Sequence, residues 1–208
     1  MSVAQGLAAG LAALGIDMPE SDQLRLNRYV GLIEKWNKVH NLTAIRAPQQ
    51  MLAHHLLDSL AILPYLGAAR SLVDVGSGAG LPGIPLAIAL PELAVTLVDS
   101  NHKRHAFQKQ CKAELVLNNT TVVHRRVEDY RSEFGFDVVI SRAFSDLGEF
   151  IRAARHLCAK GGSLLAMKGL YPHEEIAKLP DDARVVQVTE LQVPGLDANR
   201  HLLVIQLS

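Results

Sequence analysis

Ser71-Leu-Val-Asp-Val-Gly-Ser-Gly-Ala-Gly-Leu-Pro-Gly83 is the stretch that decides how this chain is read. An apolar run, Leu72, Val73 and Val75, is broken by one carboxylate at Asp74 and predicts a short buried strand of the parallel kind. Gly76, Gly78 and Gly80 follow at alternate positions. Pro82 and Pro85 then stand in the first turn of an apolar helix, Leu86 to Leu90, where a missing N–H costs little. Strand, glycine turn and helix N-terminus together let a backbone approach a ligand closely.

The dinucleotide fingerprint G-x-G-x-x-G needs glycine where Leu81 stands. The form here is G-x-G-x-G with Asp74 two residues upstream, which resembles the S-adenosylmethionine (AdoMet) loop of Rossmann-like methyltransferases. About 20 residues on, Asp99 ends a second apolar run, Ala94 to Val98. An acid at that place accepts bonds from both ribose hydroxyls of a nucleoside.

The 208 residues suffice for one full domain and a small appendage. Lysines and arginines number 21, as do aspartates and glutamates, so attraction to a polyanion must come from a local patch. Cys111 and Cys158 lie far apart without C-x-x-C spacing and read as buried thiols of a reducing compartment. Met1 to Leu14 lacks the basic leader of a signal peptide. Prolines 82, 85 and 91 with Glu92 exclude a membrane span over the apolar stretch 81–98. The expectation is a cytoplasmic protein, away from membranes.

Taken in order, Val3 to Leu14 predicts a short helix ending at Gly15, and Ser21 can cap a longer one with Leu26, Tyr29, Val30, Ile33 and Trp36 on one face. After a break at Pro48, Met51 to Leu63 is helical again. Residues 1–66 therefore form a helical extension. From 67 to 208 strands and helices alternate: helix His102 to Leu117, strands Thr121 to His124 and Phe136 to Ser141, helix Leu147 to Ala159. Gly161-Gly162 turns into a strand at Ser163 to Lys168, and Arg184 to Val193 pairs with His201 to Leu207. The fold class is α/β: a mostly parallel, seven-stranded Rossmann-like methyltransferase sheet with an antiparallel last strand.

Ligands of such sheets bind beyond the strands' carboxyl ends. There, Val127 and Glu128 suit the edge of an adenine, while Glu128 also suits a helix N-terminus. Ser141-Arg-Ala-Phe144 has neither the Asn/Asp-Pro-Pro-aromatic tetrad of amine methylation nor a cysteine nucleophile. Arg142 offers a fork of donors for a purine O6 or a phosphate, or else a surface ion pair. Phe144, like Trp36, can stack on a base or serve the core. Lys168 and Arg200 face the expected substrate side. His55 and Asp58, three apart on one helix, fit a helix-surface hydrogen bond as well as acid–base chemistry, and no metal-ligand spacing is present.

At this point the chain resembles the bacterial RsmG (GidB) family, AdoMet-dependent guanine-N7 methyltransferases of 16S ribosomal RNA. The resemblance rests on Lys35-Trp-Asn-Lys38, Asn41-Leu-Thr43, His55-Leu-Leu-Asp-Ser59, the stretch Asp74 to Pro85, Asp99-Ser100, Ser141-Arg-Ala-Phe144, Lys168-Gly169, Leu191-Gln-Val-Pro194 and Arg200-His-Leu202. It implies AdoMet held by Gly76, Leu81, Val127, Glu128 and Arg142, with Gly78, Asp74 and Asp99 expected from the wider methyltransferase fold. Arg142 is then the catalytic candidate, and Phe144, Lys168 and Arg200 the substrate contacts. The partner implied is 16S ribosomal RNA in the small subunit, approached by a monomer with no metal. A small-molecule methyltransferase and a non-catalytic RNA-binding module remain the alternatives.

Overall fold

β1 (Ser71–Val75), the strand predicted from the opening stretch, lies inside a seven-stranded sheet. The computed structural model describes residues 3–208; Met1 and Ser2, which begin the alanine-rich N-terminal stretch, lie outside the described residues. The other strands are β2 (Ala94–Asp99), β3 (Thr120–His124), β4 (Phe136–Ser141), β5 (Cys158–Lys168), β6 (Ala183–Glu190) and β7 (His201–Leu207). Their order across the sheet is β3-β2-β1-β4-β5-β7-β6. The first five run parallel, and β7 enters antiparallel between β5 and β6. This is the expected methyltransferase layout.

The order reverses between β1 and β4, the switch point at which open sheets of this kind leave a crevice. Asp74 stands level with Leu97 and Ile140, so Gly76, Asp99 and Ser141 reach one rim. Lys168 is level with His201, which brings Arg200 to the same rim from the loop before β7.

Strand alternation divides the core. Leu72, Val138, Ile140, Leu165 and Met167 point to one face; Val73, Val75, Val139, Leu164 and Ala166 point to the other. The first face packs with α1 (Val3–Ala13), α2 (Glu20–His40), α5 (Gly83–Ala89) and α6 (His102–Glu114) through Leu7, Leu26, Tyr29, Ile33, Ile84 and Phe107. α7 (Leu147–Ala154) covers the second through Leu147, Phe150 and Ile151. Between α2 and β1 come α3 (Pro48–Met51), a π-helical turn at Leu52–Leu57 and α4 (Asp58–Leu60).

Several boundaries differ from expectation. Ser21 caps nothing: α2 starts at Glu20 after Pro19, without a side-chain cap bond. Pro48 begins a helix rather than ending one, because its fixed φ suits the first helical turn. Gly161-Gly162 lies within β5, where Gly161 at φ +83° takes up a register irregularity against β4. α7 ends at Ala154 and passes into a 3-10 turn, Arg155–Leu157, while α6 and β6 end three residues early. Cys111 is buried, but Cys158 only partly; both are free thiols.

Candidate active site

The glycine turn after β1 is held from four directions. Gly76 N–H donates to Val98 O at 2.9 Å, and Gly78 N–H to Asp99 Oδ2 at 2.8 Å. Tyr29, buried in α2, donates its hydroxyl to Ala79 O at 2.6 Å. Gln108 of α6 donates to Ser77 Oγ at 2.9 Å and Gly78 O at 2.8 Å. Asp74 Oδ2 accepts Gly83 N–H at 2.9 Å, tying strand to helix. All three glycines of the turn are at positive φ, Gly76 at +68°, Gly78 at +59° and Gly80 at +86°, and a Cβ on Gly76 would stand 2.8 Å from the Ala143 methyl. The loop is thus fixed before any ligand arrives.

Asp74 is fully buried, and its Oδ1 has no hydrogen-bond partner among the described residues. Burial pushes its carboxyl up from 3.8 to about 7, against the lowering effect of the Gly83 bond and Arg142. An acid whose pKa rises on folding stabilises the fold below the unfolded value and loses that contribution as pH climbs through the folded one. Asp74→Asn keeps an acceptor for Gly83 but cannot ionise. The difference in melting temperature between Asn and wild type should therefore move in favour of Asn from about pH 5 to about pH 8. A pH-independent difference would show that Asp74 does not titrate in this window.

Three cavities adjoin along the rim. The first, about 230 Å³, is lined by Gly76, Asp99, Arg126, Val127, Glu128 and Phe144 among others. The second runs under the glycine turn past Thr43, His55, Gly78, Leu81 and Arg142. The third, about 240 Å³, has Asp58, Arg142, Lys168 and Arg200 in its walls. Gly76 and Ala143 belong to the first two, and Arg142 to the second and third. Arg142 is therefore the partition between the glycine turn and the third cavity.

Asp58 fixes that partition. Its carboxylate, 3 % exposed, accepts Arg142 Nη1 at 2.8 Å on one oxygen and Arg200 Nε at 2.9 Å on the other. Arg142 Nη1 also donates to His54 O at 3.2 Å, leaving its Nε and Nη2 without protein partners among the described residues. Beside this clamp, His55 Nε2 lies 3.0 Å from Thr43 Oγ1, and Thr43 N–H donates to Asn37 Oδ1. Burial, with Arg142 nearby, lowers His55 to about 4, so its ring is neutral at physiological pH. The π-turn carries His54 and His55 and delivers Asp58 inward; such turns are frequent at functional sites. Ser141 Oγ donates to Val75 O at 2.8 Å and accepts Ala143 N–H at 3.0 Å, shaping the turn that presents Arg142.

A model of the family described as rRNA small subunit methyltransferase G (GidB) matches residues 22–203. The chain belongs to that family. Among its relatives, a ribosomal RNA small subunit methyltransferase G of Nitrosospira multiformis is 55% identical over 99% of this chain and 98% of its own. One of Laribacter hongkongensis is 55% identical over 98% of each chain. Solved structures show the same fold at low identity. The glycopeptide N-methyltransferase MtfA has a TM-score of 0.64 at 12% identity, over 78% of this chain and 100% of that one. TrmN of Thermus thermophilus has 0.57 at 16%, over 76% and 53%.

In this chain, Gly76, Val127 and Glu128 meet at the first cavity with Asp99, and Gly78, Leu81 and Arg142 at the second. Asp74 sits beneath the turn and touches neither. The substrate-side candidates take these positions. Phe144 stands at the first cavity, packed on Phe150 at 5.4 Å, because the Ser141 turn folds it back over α7. Lys168 lines the third cavity, and its ammonium, on Ser145 O at 2.6 Å and Glu175 at 2.7 Å, also braces the 141–146 loop. Trp36 donates to Gln110 Oε1 at 2.9 Å and meets Phe107 edge-on, so it fastens α2 to α6. Arg200 does line the third cavity. The sequence reading weighed Asp58 only beside His55, as a helix-surface hydrogen bond or an acid–base group, and gave Ser141 no role of its own; a lone carboxylate in the apolar run 51–63 was the available signal for the first. Among the described residues no group of His, Cys, Asp and Glu could hold a metal ion, and no helix is long and apolar enough to cross a membrane.

Proposed function

We propose that the protein transfers a methyl group from AdoMet to N7 of a guanine in the 16S rRNA of the small ribosomal subunit. The observation that carries the reading is Arg142, clamped by Asp58 as the wall between the glycine-turn cavities and a polar cavity. The residues fit AdoMet: a preformed turn with glycines at positive φ, a buried acid at the end of β2, and an aromatic ring at Phe144 beside Val127 and Glu128. When bound, AdoMet supplies an activated methyl group whose leaving group is a neutral thioether.

The chain's own residues need do little beyond placement. Guanine N7 carries an in-plane lone pair and no proton, so no general base is required, in keeping with a buried neutral His55. Holding N7 about 3–3.5 Å from the methyl carbon can lower the barrier by roughly 7–11 kcal/mol. The free donors of Arg142 suit the O6 edge and leave N7 open. Purine charge rises as the methyl arrives, which two guanidiniums alone would oppose; the Asp58 carboxylate between them offsets this. N7 in A-form RNA faces a groove that side chains enter poorly, so the target guanine is unpaired or extruded.

On this reading the protein works in the cytoplasm as a monomer on the small subunit. Residues 1–66 form a helical extension that buttresses the turn, and residues 67–208 form the methyltransferase domain. Calorimetry tests the cofactor class: AdoMet should bind and NAD should not. Phe144→Ala should weaken AdoMet binding about tenfold, since stacking on an aromatic ring is worth about 1–3 kcal/mol. Binding of NAD in place of AdoMet would reject the reading. Unchanged AdoMet affinity with poorer RNA methylation would return Phe144 to the substrate side.

A further inference from the structure

The neutral formal charge conceals a segregation. Between positions 101 and 127 stand Lys103, Arg104, Lys109, Lys112, Arg125 and Arg126 against a single acid, Glu114, and the rest of the chain holds the compensating acidic excess. Glu114 is engaged elsewhere: it accepts from Arg28 at 3.3 Å and Gln110 at 2.6 Å. His105, Lys109 and Lys112, with Val116 just past the helix end, recur at intervals of four, three and four. That spacing sets them on one stripe of α6, away from the side buried by Phe107, Cys111 and Leu115.

The stripe walls a groove of about 420 Å³ that Val122 of β3 also lines. β3 is an edge strand, so among the described residues no further strand closes this flank. Lys109 and Lys112 are exposed, and neither side chain has a hydrogen-bond or ion-pair partner among the described residues. The His105 ring stacks at 5.1 Å on His124, which lies 5.7 Å from His102. Burial and the neighbouring His124, Lys109 and His102 lower His105, as expected where cations gather without a counter-charge. Arg125 and Arg126, with Arg104 paired to Asp99 at 3.5 Å, stand at the mouth of the first cavity.

We propose that this groove and its basic stripe are a second docking surface for the phosphate backbone of the small-subunit rRNA, separate from the cavity that takes the target base. The inference rests on the proposed rRNA methyltransferase activity. Charge complementarity selects the occupant: unpaired lysines on an otherwise neutral protein suit a polyanion, and phosphate contacts position an RNA without reading its sequence. The groove flanks β3 and the base cavity flanks β5, four strand spacings or about 19 Å apart. A folded RNA reaches both points at once, whereas a free nucleotide does not.

The test uses the full chain and small subunits lacking the modification, with labelled AdoMet and a series of salt concentrations. Lys109→Gln/Lys112→Gln removes the stripe's charge, and Lys160→Gln, an exposed lysine outside it, controls for charge loss as such. The double variant should raise KM for the subunit about tenfold and flatten the plot of log KM against log salt by about one to two, with kcat and AdoMet affinity unchanged. The control should match wild type. Wild-type KM and slope in the double variant would overturn the docking surface, as would lower kcat or AdoMet affinity at unchanged KM. Wild-type protein that transfers no methyl group would remove the proposed function and this inference together; transfer with an insensitive double variant would remove this inference alone.

Discussion

Arg142→Ala should lower kcat for rRNA methylation about a hundredfold or more, the cost of misplacing a reactant by about 1 Å. Arg142 lines the second and third cavities, so its loss merges them and removes the partition. Among the described residues only Nη1 is used for anchoring, on Asp58 and His54 O, and the other two nitrogens are left as donors at this boundary. A guanine would then enter without a fixed angle to the methyl group. AdoMet affinity should fall much less, because Asp99, Val127, Glu128 and Phe144 at the first cavity are unaltered. Lysine should not rescue: a compact ammonium cannot anchor to Asp58 and present a planar pair of donors together. Near-wild-type turnover in the alanine variant would remove Arg142 from the site.

The second large effect is expected at Asp58. Asp58→Asn leaves Arg142 and Arg200 facing one neutral amide in place of a carboxylate 2.8 and 2.9 Å away. Breaking a fully buried pair costs about 3–5 kcal/mol. Here the guanidiniums are 25 % and 22 % exposed, and solvent reduces the loss to about 1–3 kcal/mol. At about 2–4 °C per kcal/mol for a chain of this size, the melting temperature should fall by about 2–12 °C. Turnover should fall at least tenfold below the melting range, since both guanidiniums lose the group that fixes their directions. A variant that melts lower but turns over normally would make Asp58 a purely structural residue.

Asp58 also shows where the sequence was legible and where it was not. β4 and β7 span the ranges their sequence predicts, and β1 its apolar run with Ser71 before it, because buried strands are written as runs rich in β-formers. The glycine turn and Asp99 were legible for a related reason: a turn with φ above zero and an acid at the next strand end leave few residue choices. What could not be read was register across long separations. Asp58 and Arg200 are 142 positions apart, and Asp58 points inward only because a π-turn rotates the helix by a fraction of a turn beforehand. Treated as a regular helix, 51–63 places His55 and Asp58 on a surface, when both are buried. Lys168 was legible as the end of β5, but its partner Glu175 was not: it lies in the short helix α8 (His173–Ile176), a single turn whose pattern is too brief to recognise. Gly161-Gly162 signalled an irregularity, and the sequence alone did not distinguish a turn before the strand from a bulge within it.

The central claim is positional: one clamped arginine separates a methyl donor from a guanine whose N7 needs no activation. It is tested most directly by incubating the protein with tritiated-methyl AdoMet and small ribosomal subunits that lack the modification, then mapping the labelled base. The account predicts label in 16S rRNA at N7 of a single guanine, and its near-disappearance with Arg142→Ala. Label on an exocyclic amine or a pyrimidine carbon, or none in the RNA while AdoMet is bound, would contradict it.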